Sequence, residues 1–517
     1  MQCGYQNKKS TNITPGIDGI TGEFLIHGVS EALLGHLSAI YTNILSFNYV
    51  PTVFNTGVMI PVLKKPTLNP AVPGNYRPII VSSVFSKLFE ILLYPGEVPL
   101  CKNQFGFRAG YGVYNGLNLL NDVMCYCQHT NTNMFLCSLD AEKCFDSIWH
   151  DGLFYKLHNV LPDIHWRFLD SVLDVVIKWN GSIHPDSYFK VTRGTRQGSI
   201  LSPVIFNICI CDLLKQLNVH ESGVRIGGKL FNSFAYADDI SVFSTTVTGL
   251  QELVDICVDY SSSWRFNFGI NKTKCMPIGR GHRYFNTDPV WYLKDVPIET
   301  VTNLDILGVH FNCYVKYDDY VQTRIQKCKR SVYSLSNVGM SYPGLNTASK
   351  VHLFKSICQP TLMYGTECLA LNTKCINSIQ SAQGSVMKQV CGLGKRPHHS
   401  AILQALEITH ASTHINDSTK SLFKRICSTD SPTRDVCIYF MNLFIVDRVL
   451  VPGTLIDRIV KMGISPTSLL QSNVKQSSQT FTADGLVDSL RAMLYNDNYI
   501  KPWSNEYLLV KLLTRSF

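Results

Sequence analysis

FAYADDISVFS, residues 234–244, sets two adjacent aspartates inside an otherwise apolar run. Phe234, Tyr236, Ile240, Val242 and Phe243 favour burial, and the spacing predicts two strands meeting at a tight turn within KLFNSFAYADDISVFS (229–244). Such a turn projects Asp238 and Asp239 into one pocket. Two ionised carboxylates side by side there repel each other and lose hydration unless cations hold them. The chain contains its own control. Asp318 and Asp319 repeat the dipeptide in KYDDYVQTRIQ, ahead of a polar, cationic helix pattern. There either aspartate can cap a helix and favour its dipole. The dipeptide alone is usually a solvated turn. The apolar flanks of Asp238-Asp239 leave the turn and the metal site as competing readings.

Upstream, MFLCSLD (134–140) reads as a buried strand that ends in a third carboxylate, Asp140. Oxygen ligands are what Mg²⁺ requires. Three carboxylates on core strands suit a two-ion site for in-line nucleotidyl transfer, one ion at the attacking 3′-hydroxyl and one at the leaving pyrophosphate. Spacing alone does not bring the three together. Asp140 has a rival reading as a helix cap, but Asp146 fits that role better, directly before the amphipathic pattern SIWHDGLFYKLHNVL (147–161). In RGTRQGSILSP, Gly194 and Gly198 permit close backbone approach, and Arg193, Arg196 and Gln197 supply donors. Alone, such a loop is a weak signal.

The chain of 517 residues is 45% hydrophobic, enough for a sizeable core and more than one domain. Its formal charge of +9 is compatible with a polyanionic partner but too small to establish one. None of the 18 cysteines forms a C-x-x-C pair, so no zinc site is expected and the thiols read as reduced and packed like small hydrophobes. No secretory leader and no membrane span is expected. Helices fit residues 17–45, a short strand VMIPVLKK (58–65), and a strand passing into a helix IIVSSVFSKLFEILL (79–93). Residues 189–217 read as strand, Gly-rich loop and helix, 250–264 as helix, and LDILGVHF (304–311) as a strand; beyond about 320 the pattern is mostly helical. Irregular alternation followed by helices predicts an α+β core with a helical domain after it.

Taken together, three segments resemble motifs A, B and C of reverse transcriptases, in the form found in non-LTR (LINE-type) retrotransposons. They are Asp140-Ala-Glu-Lys-Cys-Phe-Asp, Arg196-Gln-Gly-Ser-Ile-Leu-Ser-Pro and Tyr236-Ala-Asp-Asp. PGIDGI (15–20), IPVLKK (60–65), NYRPI (75–79), QFGFRAG (104–110), FNFGINKTKCM (266–276), LDILGV (304–309), QPTLMYGTE (359–367) and VMKQVCGLGKR (386–396) follow the family's order. The ordered set is far more specific than any member of it.

The resemblance implies a right-hand polymerase of fingers, palm and thumb. Residues 1–50 would lead into fingers, 51–320 form fingers and palm, 321–415 the helical thumb and 416–517 an extension of unassigned role. It implies RNA-directed DNA polymerase activity on an RNA template, a DNA primer and dNTPs, with two Mg²⁺ (or Mn²⁺) ions and no membrane partner. Asp140, Asp238 and Asp239 match the metal-binding carboxylates, and Lys272 the motif D lysine, a candidate general acid. Phe145 matches the gate against a ribose 2′-hydroxyl. Lys64, Lys65 and Arg77 match fingers cations at the triphosphate, and Gln197 and Gly198 the loop packed on the nucleotide. Arg108, Arg196, Lys388, Lys395 and Arg396 are the nucleic-acid-binding candidates, with Arg108 either at the template or bracing the fingers. Family habit places the protein in the nucleus or cytoplasm.

Two departures stand out. Between Glu90 and Gln104 the chain is shorter than the family's fingers helix, and no endonuclease or CCHC knuckle is expected before Pro15 or after residue 410. A truncated, inactive element copy that at most binds nucleic acid is therefore the second reading. An RNA-templated RNA polymerase is a third, opposed by the bulk of Phe145.

Overall fold

The computed structural model describes residues 15–47, 49–51, 54, 56–93, 100–142, 144–158, 174–179, 182–183, 188–279, 289–341, 343–394 and 398–471. Along the chain, β1 (Thr56–Leu63) and β2 (Tyr76–Val81) are followed by β3 (Met134–Asp140), β4 (Asp174–Trp179), β5 (Ser182–Ile183) and β6 (Phe189–Lys190). A small hairpin, β7 (Val224–Ile226) with β8 (Lys229–Phe231), precedes β9 (Ser233–Tyr236), β10 (Asp239–Ser244) and β11 (Lys274–Ile278). One sheet runs β2-β1-β4-β5, with β6 also on β4. A second runs Glu299–Thr300, β11, β3, β10, β9, and β11-β3-β10-β9 are antiparallel neighbours. The fold is α+β, as the sequence predicts.

The run MFLCSLD is apolar at successive positions because its strand is covered on both faces. Met134 and Leu136 join a core with Leu117, Leu120 and Val123 of the helix Val113–His129. Phe135, Cys137 and Leu139 join another with Leu213 of Ser202–Val219 and Leu250, Leu253 and Val254 of Val247–Ser263. A third core ties the helices Glu31–Phe47 and Val84–Leu93 to His150–His158. A fourth holds residues 321–415 together.

The boundaries expected at 320/321 and 415/416 both fall inside helices, Asp318–Ser334 and Ala411–Ser428. The described part of the C-terminal extension is also continuous with the central sheet's core, through Leu422, Phe423, Val436, Phe440 and Ile456. A buried polar seam fixes that contact. Asp122, 1% exposed, accepts from Leu455 N at 3.0 Å and from Asn118 Nδ2 at 2.9 Å. Arg458 Nη2 reaches Asn118 Oδ1 at 2.6 Å.

Three expectations about individual elements are corrected. KLFNSFAY divides at Asn232 into β8 and β9, in different sheets, because the Asn232 amide turns back to Leu217 O at 2.5 Å. LDILGVHF is a hairpin, Asn303–Ile306 with Val309–Asn312, turned by Leu307 (φ 49°) and Gly308 (φ 79°). The helix expected at 147–161 begins at His150, so Asp146 does not cap it; Asp146 lies in the separate turn Cys144–Ser147.

Candidate active site

The sheet register assembles the acidic site. Ala237 and Asp238 form the two-residue turn between β9 and β10, and Tyr236 and Asp239 close it as paired residues. Across β10 and β3, Asp239 is the direct partner of Asp140. Partnered residues in an antiparallel ladder are roughly 5 Å apart at Cα, so two of the three carboxylates leave adjacent strand ends and Asp238 sits beside them. Ala237 holds φ 56°, the left-handed region that a residue with a Cβ rarely enters.

Lys272 Nζ pairs with Asp140 Oδ2 at 2.7 Å. Its loop is tied to the chain leaving β3: Gly269 N donates to Asp140 O at 3.0 Å and Glu142 N to Asn267 O at 2.9 Å. The hydrogen bond to Asp140 holds the Lys272 ammonium above its ordinary pKa. Burial pushes the Asp238 carboxyl up. Asp239 is exposed at its strand end, yet loss of hydration among the surrounding groups first, and then the charges of Asp238 and Asp140, push its carboxyl up to about 6.

A carboxyl whose folded pKa exceeds its unfolded value binds more protons folded than unfolded. The metal-free protein therefore loses stability as pH rises from the ordinary carboxylate range through about 6. Asp239→Asn removes that charge. In EDTA at pH 7 it raises Tm, by on the order of 1 °C, and at about pH 3.5, where both forms are neutral, the gain vanishes. Scanning calorimetry at both pH values checks this; an equal gain at the two would refute it.

Beside the carboxylates, Phe145 stacks on Phe206 at 4.6 Å between centroids, and Phe107 meets it edge-on at 6.2 Å. Thr195 N donates to Phe145 O at 2.7 Å, so the glycine loop supports the segment that carries the ring. In the same loop, Gln197 Nε2 donates to Asp146 Oδ1 at 2.7 Å, and Ile80 N of β2 donates to Gln197 O at 2.7 Å. Gly198 has φ 120°, and a Cβ there would lie 2.4 Å from Ile80 O. Gly198→Ala is thus expected to destabilise the fold by about 3 kcal/mol, read as a lower urea midpoint. An unchanged midpoint would show that β2 is free to move away.

The donor set is all carboxylate oxygen with one cation already drawn in, which fits the chemistry of a hard divalent ion. Among the described residues no three acidic, histidine or cysteine side chains converge as a ready-made cage. Lys272 occupies the Asp140 carboxylate instead, so an ion and the lysine would compete for that oxygen.

Residues 62–311 match the family described as "Reverse transcriptase (RNA-dependent DNA polymerase)". That segment is similar to reverse transcriptases over 250 of the chain's 517 residues. A protein described as "Probable RNA-directed DNA polymerase from transposon X-element", from Drosophila melanogaster, is 24% identical over 81% of this chain and 46% of its own length. The RNA-directed DNA polymerase from mobile element jockey of the same species is 24% identical over 70% of this chain and 40% of its own. The Pol polyprotein of the type-2 retrotransposable element R2DM is 27% identical over 53% and 25%. The chain therefore spans less than half the length of these relatives.

Within the matched segment, Lys64, Lys65 and Arg77 are exposed on the β1–β2 hairpin, and Lys64 Nζ donates to Gly74 O at 2.9 Å. Arg108 braces its own loop, donating to Cys101 O at 2.9 Å and Gln104 O at 3.0 Å. Arg196 is a correction. It is 4% exposed and turned inward, with Nη1 donating to Ser82 Oγ at 3.4 Å near the Glu90 charge, so burial removes it from a nucleic-acid surface. Lys388 is half-buried on the helix Thr373–Cys391; Lys395 and Arg396 lie outside the described residues.

Sequence reasoning missed three supports. Glu90, 1% exposed, accepts from Ser199 Oγ at 2.8 Å and Ile200 N at 2.7 Å, holding the start of motif B. Its lone carboxylate within the apolar run FSKLFEILL was the available signal. The Cys144 thiol hydrogen-bonds to Asp238. Gln104 grips the Asp238 turn, inside a motif that drew attention without a role.

Proposed function

We propose that this chain is the RNA-directed DNA polymerase portion of a non-LTR retrotransposon protein, extending a DNA primer 3′-hydroxyl with dNTPs on an RNA template. The observation that carries it is the register pairing of Asp239 with Asp140 beside the Asp238 turn, with Lys272 on the same carboxylate. In this reading Asp140, Asp238 and Asp239 hold two divalent ions. Bound there, the ions would supply the charge that activates the 3′-hydroxyl and stabilises the departing pyrophosphate. Lys272, an ammonium at the edge of the acidic site, holds a proton for that pyrophosphate. Phe145 excludes a ribose 2′-hydroxyl. Lys64, Lys65 and Arg77 grip the triphosphate, whose charge they neutralise. Gln197 and Gly198 shape the floor beneath the base. Lys388 faces the duplex backbone from a helical thumb, and Arg108 keeps the loop after residue 100 in place.

The test is primer extension by the purified chain on an RNA template, with Mg²⁺ or Mn²⁺ and labelled dNTPs. Templated extension is expected. No extension with either ion would sink the proposal and favour an inactive element copy.

A further inference from the structure

We infer that Gln104 is a positioning residue: its carboxamide clamps Ala237 in the left-handed conformation that presents Asp238 to the site. Three hydrogen bonds leave this one side chain, which is 1% exposed. Oε1 accepts from Ala237 N at 2.9 Å and from Gly106 N at 2.9 Å. Nε2 donates to Ala237 O at 3.3 Å. Both backbone polar groups of the strained residue are thus held by one amide. The turn bears strain because Ala237 adopts φ 56° with a Cβ. Holding it there takes contacts that over-determine it.

The platform beneath Gln104 is rigid. Ala235 N donates to Asn103 O at 2.9 Å and Phe105 N to Ala235 O at 2.8 Å, so residues 103–105 bridge the edge of β9. Asn207 Nδ2 donates to Gly106 O at 2.9 Å. A Cβ on Gly106 would lie 2.4 Å from Ala237 N, so the two backbones are in contact.

Only a primary amide of this length meets the requirement. Glutamate in its place would turn a lone pair toward Ala237 O and bury an anion beside Asp238. Leucine or methionine would fill the volume and make none of the bonds. This inference rests on Asp238 being a metal-binding carboxylate. It adds that the turn is held from outside the motif, by a residue whose loss moves Asp238 without touching it.

The experiment measures Mn²⁺ binding to the full chain by loss of the free-ion EPR signal, alongside Tm and primer extension. Gln104→Leu and Gln104→Met are each expected to weaken Mn²⁺ binding about tenfold. Ala237→Gly, added to either, should restore at least threefold, because glycine enters the left-handed region without the cost of a Cβ. Gln104→Met serves if the branched variant does not fold. Mn²⁺ affinity within twofold of the parent in a folded Gln104 variant would overturn the clamp, whatever Tm does. So would a loss that Ala237→Gly leaves unchanged. A parent that binds Mn²⁺ through Asp238 but extends no primer would overturn the polymerase reading and leave the clamp standing.

Discussion

Asp238→Asn lowers the primer-extension rate by at least about 10³-fold, the equivalent of about 4 kcal/mol of transition-state stabilisation. The substitution keeps the shape of the side chain and removes its charge, so the loss reports ligation and electrostatics rather than packing. Folding does not suffer. Burial already pushes the Asp238 carboxyl up, which means that the folded, metal-free protein disfavours the charge. Tm in EDTA at neutral pH should therefore hold or rise while activity disappears, a combination that general damage does not produce. Asp318→Asn is the matched control. Asp318 lies in the first turn of Asp318–Ser334, far down the chain from motif C, where it approaches Lys374 Nζ at 3.8 Å and hydrogen-bonds to the Cys375 thiol. Extension by that variant should stay within about twofold of the parent, since an exposed pair of this kind contributes little. Residual extension by Asp238→Asn within tenfold of the parent would sink the assignment of this turn.

What made Asp238 legible was conflict between its charge and its neighbours, and the same logic explains where reading the sequence stopped. The palm strands announced themselves because β3 and β10 are apolar enough to need two covers, and both have them. That Asp140 ends opposite Asp239 depends on register, which pairing in three dimensions decides. Arg196 shows the opposite failure. A cation in a glycine loop resembles a phosphate ligand, and nothing local says that Glu90, far upstream, lies across from it. Asp146 fails likewise: the break before His150 turns an apparent cap into the partner of Gln197. The C-terminal helices read as an extension of unassigned role because their apolar faces meet the distant helix Val113–His129, through contacts such as Thr433 Oγ1 to Asn115 O at 3.0 Å. Local pattern records which faces want burial. It does not record which partner buries them.

Phe145→Val is expected to cut discrimination between dNTPs and rNTPs by about 100-fold, or about 2.7 kcal/mol, measured as the ratio of their kcat/KM values. The size follows from how the ring is held. Phe206 backs it face to face and Phe107 abuts it edge-on, so the side chain cannot swing aside to admit a 2′-hydroxyl. The segment's carbonyl is tied to Thr195 N, so the backbone cannot retreat either. A rigid wall excludes by overlap, and overlap is costly where a flexible wall would yield. Valine opens the space of a ring while keeping the site apolar, so kcat/KM for dNTPs should fall only a few-fold. Phe206→Leu provides the decisive contrast. It leaves Phe145 intact but removes its backing, and it should give an intermediate ratio if rigidity sets the selectivity. Were Phe145 only a core residue, both variants would lower Tm and leave the dNTP/rNTP ratio unchanged, and that result would refute the gate.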